Sequence, residues 1–149
     1  MLIKNIKYEI ITDLPRIGYV FKMIQNLEKY YPNFNQWYWN KLVPDILLRN
    51  DMIIGMFKRN EFVGVSILKN QDEKKIRAIR ILPRFQKKGY GLFLIDKCLE
   101  VMKCDKPHAT VAEELLHQYA RIFINRYDFN ISKVEKGIYR KGKLEYIFN

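Results

Sequence analysis

Apolar positions along the chain follow two periods, about two residues and about 3.6 residues, and so predict both strands and helices. Ile6, Tyr8 and Ile10 alternate with polar residues, which is typical of a half-buried strand. Residues 12–15 then supply a capping side chain and a first-turn proline, as at a helix start. The apolar residues of that helix recur at helical spacing and are Ile17, Val20, Phe21, Ile24 and Leu27. A strand followed by a helix is therefore expected here.

An aromatic stretch and three apolar runs follow. Residues 34–39 predict a second short helix that runs to Pro44 or just beyond. Residues 52–57 and 62–68 are short apolar runs around a polar turn, which indicates a hairpin. Residues 75–82 form the next strand, and their apolar side chains occupy both odd and even positions. This pattern favours a central strand covered on both faces.

The rest of the pattern alternates between helix and strand. A helix is predicted to begin after Gly89, with Leu92, Ile95, Cys98, Leu99 and Met102 on one face. Residues 108–112 predict a short strand and residues 113–126 a helix. Residues 131–140 and 144–148 predict a last hairpin. The order is that of a mixed α/β fold, with one layer of sheet and helices packed on it.

Length and composition fit one globular domain over residues 1–149. Hydrophobic residues make up 48% and charged residues 29% of the chain, which excludes a disordered class. The sequence has neither a long apolar stretch nor a secretory signal pattern, so we expect a cytoplasmic protein with no membrane contact. Its two cysteines, Cys98 and Cys104, are not a disulfide framework, and with only two histidines we expect no metal.

The formal net charge of +11 permits two interpretations. One is a nucleic-acid, ribosomal or otherwise acidic partner. The other is a solvated lysine-rich surface combined with a site for a polyanionic cofactor. The basic residues are scattered over the chain rather than gathered in one run, which favours the second interpretation.

The strongest local signal is a strand end, a basic loop, two glycines and a helix start over residues 79–91. Free amides at a helix N-terminus and the helix dipole attract phosphates, and glycines let the main chain approach them. Arg84, Lys87 and Lys88 add positive charge. The spacing is neither that of a P-loop nor that of the dinucleotide fingerprint.

Gln86-Lys87-Lys88-Gly89-Tyr90-Gly91 resembles the acetyl-CoA signature Gln/Arg-x-x-Gly-x-Gly/Ala of the GCN5-related N-acetyltransferase (GNAT) superfamily. Ile81, Pro83 and Phe85 stand where that family has a strand end, a proline and an aromatic residue, and the order of elements also matches. The resemblance implies an α/β fold with a central mixed, mostly antiparallel sheet and helices on both faces. Its parallel strands β4 (residues 75–82) and β5 (residues 108–112) would splay apart.

The same resemblance implies how acetyl-CoA binds as co-substrate. The main chain of Ile79, Arg80 and Ile81 would pair with the pantetheine arm like an added strand. The backbone amides of the signature would hold the pyrophosphate; its residues are Gln86, Lys87, Lys88, Gly89, Tyr90 and Gly91. The acetyl group would pass directly to an amine, so neither cysteine is needed as a nucleophile.

The chain departs from the family pattern at the general acid. Aligned on Phe129, the usual tyrosine is Ile124 and the usual glycine is Asp128. We therefore expect the acid–base groups among Glu113, Tyr119 and Tyr139, and further candidates are Glu114, His117 and Tyr146. Each also has a structural interpretation, as a helix-surface residue, a carboxylate at a helix N-terminus or a packed strand tyrosine.

The acceptor is not legible in the sequence. The aromatic residues Trp37, Tyr38 and Trp39 either shape the acceptor pocket or form the core of a short helix. Arg77 and Arg80 make β4 basic, which argues against a lysine acceptor held by acidic groups on that strand. Two other functions stay open: a toxin-like acetyltransferase of aminoacyl-tRNA, and a non-catalytic module that binds CoA or nucleic acid. Homodimerisation is also open.

Overall fold

The computed structural model describes residues 5–149 and contains a seven-stranded sheet. The strands are β1 (Ile6–Ile10), β2 (Asp51–Lys58), β3 (Glu61–Asn70), β4 (Lys74–Ile81), β5 (His108–Ala112), β6 (Ile131–Lys136) and β7 (Leu144–Phe148). Their order in the sheet is β1-β2-β3-β4-β5-β7-β6. Only the β4–β5 pair is parallel among these neighbours. The predicted mixed, mostly antiparallel sheet is confirmed.

Four helical segments cover the sheet. They are α1 (Leu14–Ile24, continued by a 3₁₀ turn), α2 (residues 34–47), α3 (Tyr90–Met102) and α4 (residues 113–126). The predicted caps are present at α1, where the Asp13 carboxylate accepts the Arg16 N–H at 3.1 Å and Pro15 lies in the first turn. Helix α2 contains a π-helical turn, Tyr38–Leu42, and runs past Pro44 to Leu47.

The helices divide between the two faces of the sheet and bury two separate cores. Helices α1 and α2 pack on one face, where Ile17, Tyr38 and Ile67 are fully buried. Helices α3 and α4 pack on the other, around Leu94 and Phe123. Each fully buried side chain of this kind stabilises the fold by about 1.5–3 kcal/mol, so both faces contribute to stability. The predicted placement of helices on both faces is confirmed.

A β-bulge explains the apolar pattern of β4. Ile67 of β3 lies opposite Ala78, whereas the next residue, Leu68, lies opposite Ile76, so Arg77 is an extra residue on β4. Beyond the bulge, the side chains of β4 change faces. Ile79 therefore packs with Ile76 against α3 and α4, while Ala78 contacts the α1–α2 core. The mixed parity thus reflects a bulge, and β4 is a central strand with apolar contacts on both faces, as predicted.

The parallel strands separate directly after this bulge. Strands β4 and β5 pair only through Lys75 with His108 and Ile76 with Ala109. Strand β5 then continues beside β7 up to Ala112. Within residues 5–149, no strand pairs with the β5-facing edge of β4 over residues 77–81. We call the gap between the two diverging strands the split.

The last hairpin is shorter than predicted and is fastened to α4. Strand β6 ends at Lys136, so Tyr139 lies in the connecting loop rather than on a strand. The Leu144 N–H donates to the Glu113 carboxylate at 2.7 Å. Glu114 accepts two hydrogen bonds from the Arg140 guanidinium, at 2.7 and 2.6 Å, and this pairing lowers the Glu114 pKa to about 2. These contacts fix the hairpin loop beside the split.

Candidate functional site

A cleft of about 470 Å³ lies between the C-terminal half of β4 and the start of α3. We call it the α3 cleft. All but one of the residues predicted to bind acetyl-CoA line this cleft. The exception is Lys88, whose side chain is exposed. The residues in the lining are Ile79, Arg80, Ile81, Gln86, Lys87, Gly89, Tyr90 and Gly91. The far wall of the cleft is α4, through Gln118, Tyr119 and Ile122. The structure thus brings the predicted loop and the unpaired edge of β4 together in one cleft.

The loop before α3 leaves the first amides of that helix uncapped. Gly89 occupies the N-cap position with φ +87°, a conformation that side-chain-bearing residues rarely adopt, and no side chain caps the helix. Lys87 also has a positive φ, 62°. The side-chain amide of Gln86 donates from Nε2 to the Ile81 carbonyl at 2.8 Å and so closes the loop. The free N–H groups and the positive end of the helix dipole therefore border the cleft, an arrangement that suits a diphosphate.

The two aromatic residues of this loop support its shape. Phe85 and Tyr90 are buried, and their rings meet edge to face with centroids 5.8 Å apart. The Lys58 ammonium donates to the Tyr90 hydroxyl at 3.0 Å. Both side chains therefore anchor the loop to the sheet.

The split itself holds a small cavity of about 60 Å³, lined by β4, β5 and α4. Tyr119 lines both this cavity and the α3 cleft. Burial raises the pKa of the Tyr119 phenol, and the positive charge of Arg80 opposes the shift only in part. The phenol is therefore protonated at neutral pH and can act as a proton donor at the junction of the two cavities.

A third cavity, of about 230 Å³, opens on the α1–α2 face of the sheet. We call it the aromatic cavity because Tyr31, Phe34, Trp37 and Tyr139 form much of its wall. It shares four lining residues with the split, namely Leu27, Tyr31, Arg77 and Thr110. The three cavities therefore follow one another through the sheet, from the α3–α4 face to the α1–α2 face.

Two acidic residues lie close to this path. The Tyr31 hydroxyl donates to the carboxylate of Glu145 at 2.8 Å, and Glu145 is only 3% exposed. Burial raises the pKa of Glu145. Asp51 is likewise buried, with its Oδ2 3.0 Å from Nε of Arg77, and burial raises its pKa despite that cation. The Arg77 guanidinium also lies over the Trp37 ring, 5.6 Å from the centroid.

The three predicted catalytic residues occupy different places. Tyr119 lies at the junction of the α3 cleft and the split. Tyr139 borders the aromatic cavity, with its ring edge-on to Tyr31 at a centroid distance of 5.1 Å. Glu113 lines none of the three cavities, because its carboxylate holds the amide of Leu144.

The departures from the family pattern have a structural counterpart. Ile124, at the position of the usual tyrosine, is 38% exposed and lines none of the three cavities. Asp128, at the position of the usual glycine, has φ 56°, the left-handed conformation that glycine favours. The chain thus keeps the left-handed backbone conformation at the glycine position of the family pattern, but it has no acidic side chain at the tyrosine position.

The aromatic stretch on α2 serves both of the purposes left open by the sequence. Trp37 lines the aromatic cavity. Tyr38 is fully buried, and its hydroxyl donates to the Ile17 carbonyl at 2.6 Å. Trp39 is 41% exposed. One residue of the three therefore reaches the candidate site.

Sequence reasoning missed Tyr31, Thr110 and Glu145. The one available signal was Glu145, a carboxylate within the apolar run of residues 144–148. Nothing in the pattern placed Tyr31 beside it, because the two residues lie 114 positions apart.

The described part of the chain shows neither a metal cluster nor a membrane-spanning helix. Among residues 5–149, His, Cys, Asp and Glu form no group of three that could hold a metal ion. In the same range, none of the helices is both long enough and apolar enough to span a bilayer.

Comparison with known proteins gives one family and one fold. The acetyltransferase (GNAT) family matches residues 16–127. A GNAT-family structure from Desulfovibrio desulfuricans superposes with a TM-score of 0.75 at 15% identity, over 96% of both chains. A GNAT acetyltransferase from Elizabethkingia anophelis with acetyl-CoA bound has a TM-score of 0.66 at 16% identity, over 97% of both chains. Arabidopsis thaliana NAA60 in complex with a bisubstrate analogue has a TM-score of 0.71 at 12% identity, over 96% of this chain and 95% of that one. No curated protein sequence matches the chain.

Proposed function

The chain belongs to the acetyltransferase (GNAT) family, and on that premise we propose that it transfers an acetyl group from acetyl-CoA to an amine by direct attack. The observation that carries the proposal is the α3 cleft, where the unpaired edge of β4 faces an uncapped helix N-terminus. The similar structure from Elizabethkingia anophelis has acetyl-CoA bound. We propose the cytoplasm as its place of action, and Cys98 and Cys104 are free thiols, as is usual there.

Acetyl-CoA would be held by main-chain groups. The edge of β4 over residues 79–81 offers backbone donors and acceptors to the pantetheine amides, as an added strand would require. The amides over residues 86–91 offer donors to the pyrophosphate, and Lys87 adds positive charge. Through the split, the thioester would reach the aromatic cavity, where the acceptor amine would bind.

Proton transfer would use Tyr119. The amine nitrogen bonds to the acetyl carbon and releases one proton to solvent, and the carbon–sulfur bond breaks. The leaving thiolate takes the phenolic proton of Tyr119, and a proton from solvent then restores the phenol. Tyr139 borders the acceptor side and would contact the acceptor. A role for Glu113 as base stays a prediction, and it requires the carboxylate to release the Leu144 amide.

The test is a calorimetric titration of acetyl-CoA with two matched glycine variants. We expect saturable binding near one molecule per chain, lost in Gly89→Glu because an acidic side chain and a strained backbone enter the α3 cleft. Gly142→Glu is the control, since Gly142 also has a positive φ (+74°) and open space around it but lies in the β6–β7 loop.

Equal binding by both variants would contradict the proposed site, and no binding by the wild type would contradict the function. Saturable binding without acetyl transfer to any of a broad panel of amines would favour the non-catalytic CoA-binding module instead.

A further inference from the structure

The aromatic cavity has the size and walls of a site for a small molecule. Its volume of about 230 Å³ is below the usual range of drug-sized pockets, about 300–1,000 Å³. Tyr31, Phe34, Trp37 and Tyr139 contribute aromatic surface. Such walls suit either an aromatic or apolar group or an organic cation. The charges in the cavity distinguish between these occupants.

Two basic side chains, Lys75 and Arg77, line the aromatic cavity. The Arg77 guanidinium already has the Asp51 carboxylate 3.0 Å away and the Trp37 ring beneath it. The Lys75 ammonium, by contrast, has no carboxylate within 4.0 Å among residues 5–149. Burial, followed by the nearby charge of Arg77, lowers the pKa of Lys75. A half-buried cation with no carboxylate in direct contact therefore lines the cavity.

The acidic groups near Lys75 are engaged elsewhere. Glu73 pairs with Lys69 at 2.8 Å. Glu145 accepts the hydroxyl hydrogen of Tyr31, and burial raises its pKa. An organic cation in the aromatic cavity would thus be repelled by two positive side chains. An anion could instead pair with the Lys75 ammonium, which has no carboxylate in contact.

We propose that the aromatic cavity binds a small amine that carries both an aromatic ring and a carboxylate, with the ring against the aromatic wall and the carboxylate paired with Lys75. The inference rests on the proposed acetyl transfer and names the class of its acceptor. A carboxylate adds little volume, so it fits beside a ring in about 230 Å³. The residues shared with the split, among them Tyr31 and Thr110, mark where the amine would approach the thioester.

The binding test uses 3-phenylpropionate, which cannot be acetylated, and its neutral match 3-phenylpropanamide, each titrated into the protein without acetyl-CoA. We expect the carboxylate to bind more tightly than the amide to the wild type. In Lys75→Met the dissociation constant of the carboxylate should rise at least about tenfold, the loss expected for one charge-assisted hydrogen bond. The dissociation constant of the amide should be the same in Lys75→Met as in the wild type.

The matched control is Lys74→Met. Lys74 is the neighbouring strand residue, does not line the aromatic cavity, and donates to the Asn70 side chain at 2.6 Å. This variant should bind both probes as the wild type does. Equal affinity of the wild type for the two probes, or an equal loss in both lysine variants, would overturn the proposal.

A turnover test separates this inference from the proposed function. With acetyl-CoA present, the wild type should acetylate phenylalanine with a kcat/KM at least about tenfold above that for phenylalaninamide, and Lys75→Met should remove the difference. Acetylation of phenylalaninamide in preference to phenylalanine would overturn the acceptor class and leave acetyl transfer intact. Failure of acetyl-CoA to bind would overturn the function and, with it, this inference.

Discussion

Tyr119 places a single phenol at the junction of the α3 cleft and the split. It lies about one turn before Ile124, the residue at the usual place of the acid, and was among the candidates named from the sequence. Glu145 and Tyr31 could not be paired in advance, because their contact depends on where the last hairpin lies against the turn after α1.

Tyr119→Phe should lower kcat while leaving acetyl-CoA binding unchanged. The substitution removes the hydroxyl of the proposed proton donor but keeps the ring, whose centroid lies 5.5 Å from that of Phe123. A general acid contributes about 10²–10⁴-fold to the rate, so we expect a loss of at least about 100-fold in steady-state assays. The alkaline limb of the pH–rate profile should also disappear.

Tyr127→Phe is the matched control for this experiment. Its hydroxyl bonds to the Asp96 carboxylate at 2.6 Å and to the Leu92 carbonyl at 3.0 Å, and it lines none of the three cavities. Its kcat should match that of the wild type. Full activity in Tyr119→Phe would remove Tyr119 from the mechanism.

At the scale of elements, β4 combines three features that position the site: a bulge, an unpaired edge and a close contact with β3. The strand itself followed from its apolar run. The bulge at Arg77 did not, because it exists only in the register with Ile67 and Leu68. The contact with β3 depends on Gly64, where a Cβ would lie 2.7 Å from the Arg80 carbonyl oxygen.

Gly64→Ala should destabilise the protein and weaken acetyl-CoA binding together. The added methyl group would also meet Cδ1 of Ile81 at 2.6 Å, so β4 must shift at its unpaired edge. Such overpacking costs about 1–3 kcal/mol of unfolding free energy, which urea denaturation would measure.

Gly18→Ala makes the same chemical change but should raise the unfolding free energy instead of lowering it. Gly18 lies inside α1, and a Cβ there would make only an ordinary contact, 3.8 Å from the Trp39 ring. Alanine should raise the unfolding free energy by about 0.5–1 kcal/mol and leave acetyl-CoA binding unaltered. Unchanged binding in Gly64→Ala would contradict the role of β4. Tighter binding in Gly18→Ala together with weaker binding in Gly64→Ala would mean that the α3 cleft responds to stability in general rather than to the position of β4.

At the scale of the whole molecule, the order and type of the elements could be predicted, since amphipathic periods report which faces are buried. The convergence of the turn after α1, α2, β4, β5 and the last hairpin on the aromatic cavity could not be predicted, because it depends on long-range packing. The helices hold two cores, one on each face of a single sheet. We propose that residues 1–149 nevertheless unfold as one domain, because every strand of that sheet has a neighbour in it.

Thermal unfolding should accordingly show one transition that moves upward with acetyl-CoA. At a concentration of about 100 times Kd, ligand binding adds about 2.7 kcal/mol, which for a chain of this size raises Tm by about 5–10 °C. Calorimetric scans would measure this shift, and Gly89→Glu should show none. Two transitions, of which only one moves, would indicate two independently folding units.

The α3 cleft and the aromatic cavity lie on opposite faces of the sheet and are built by different elements, so mutations can alter one without altering the other. The α3 cleft is built by α3 and α4 on one face, whereas the aromatic cavity is built by α2, the turn after α1 and the β6–β7 loop on the other. Mutations in the second set can accumulate without touching the backbone that would grip the nucleotide. Under the proposed function, descendants of this chain would therefore be able to change the acceptor while inheriting the same acetyl donor.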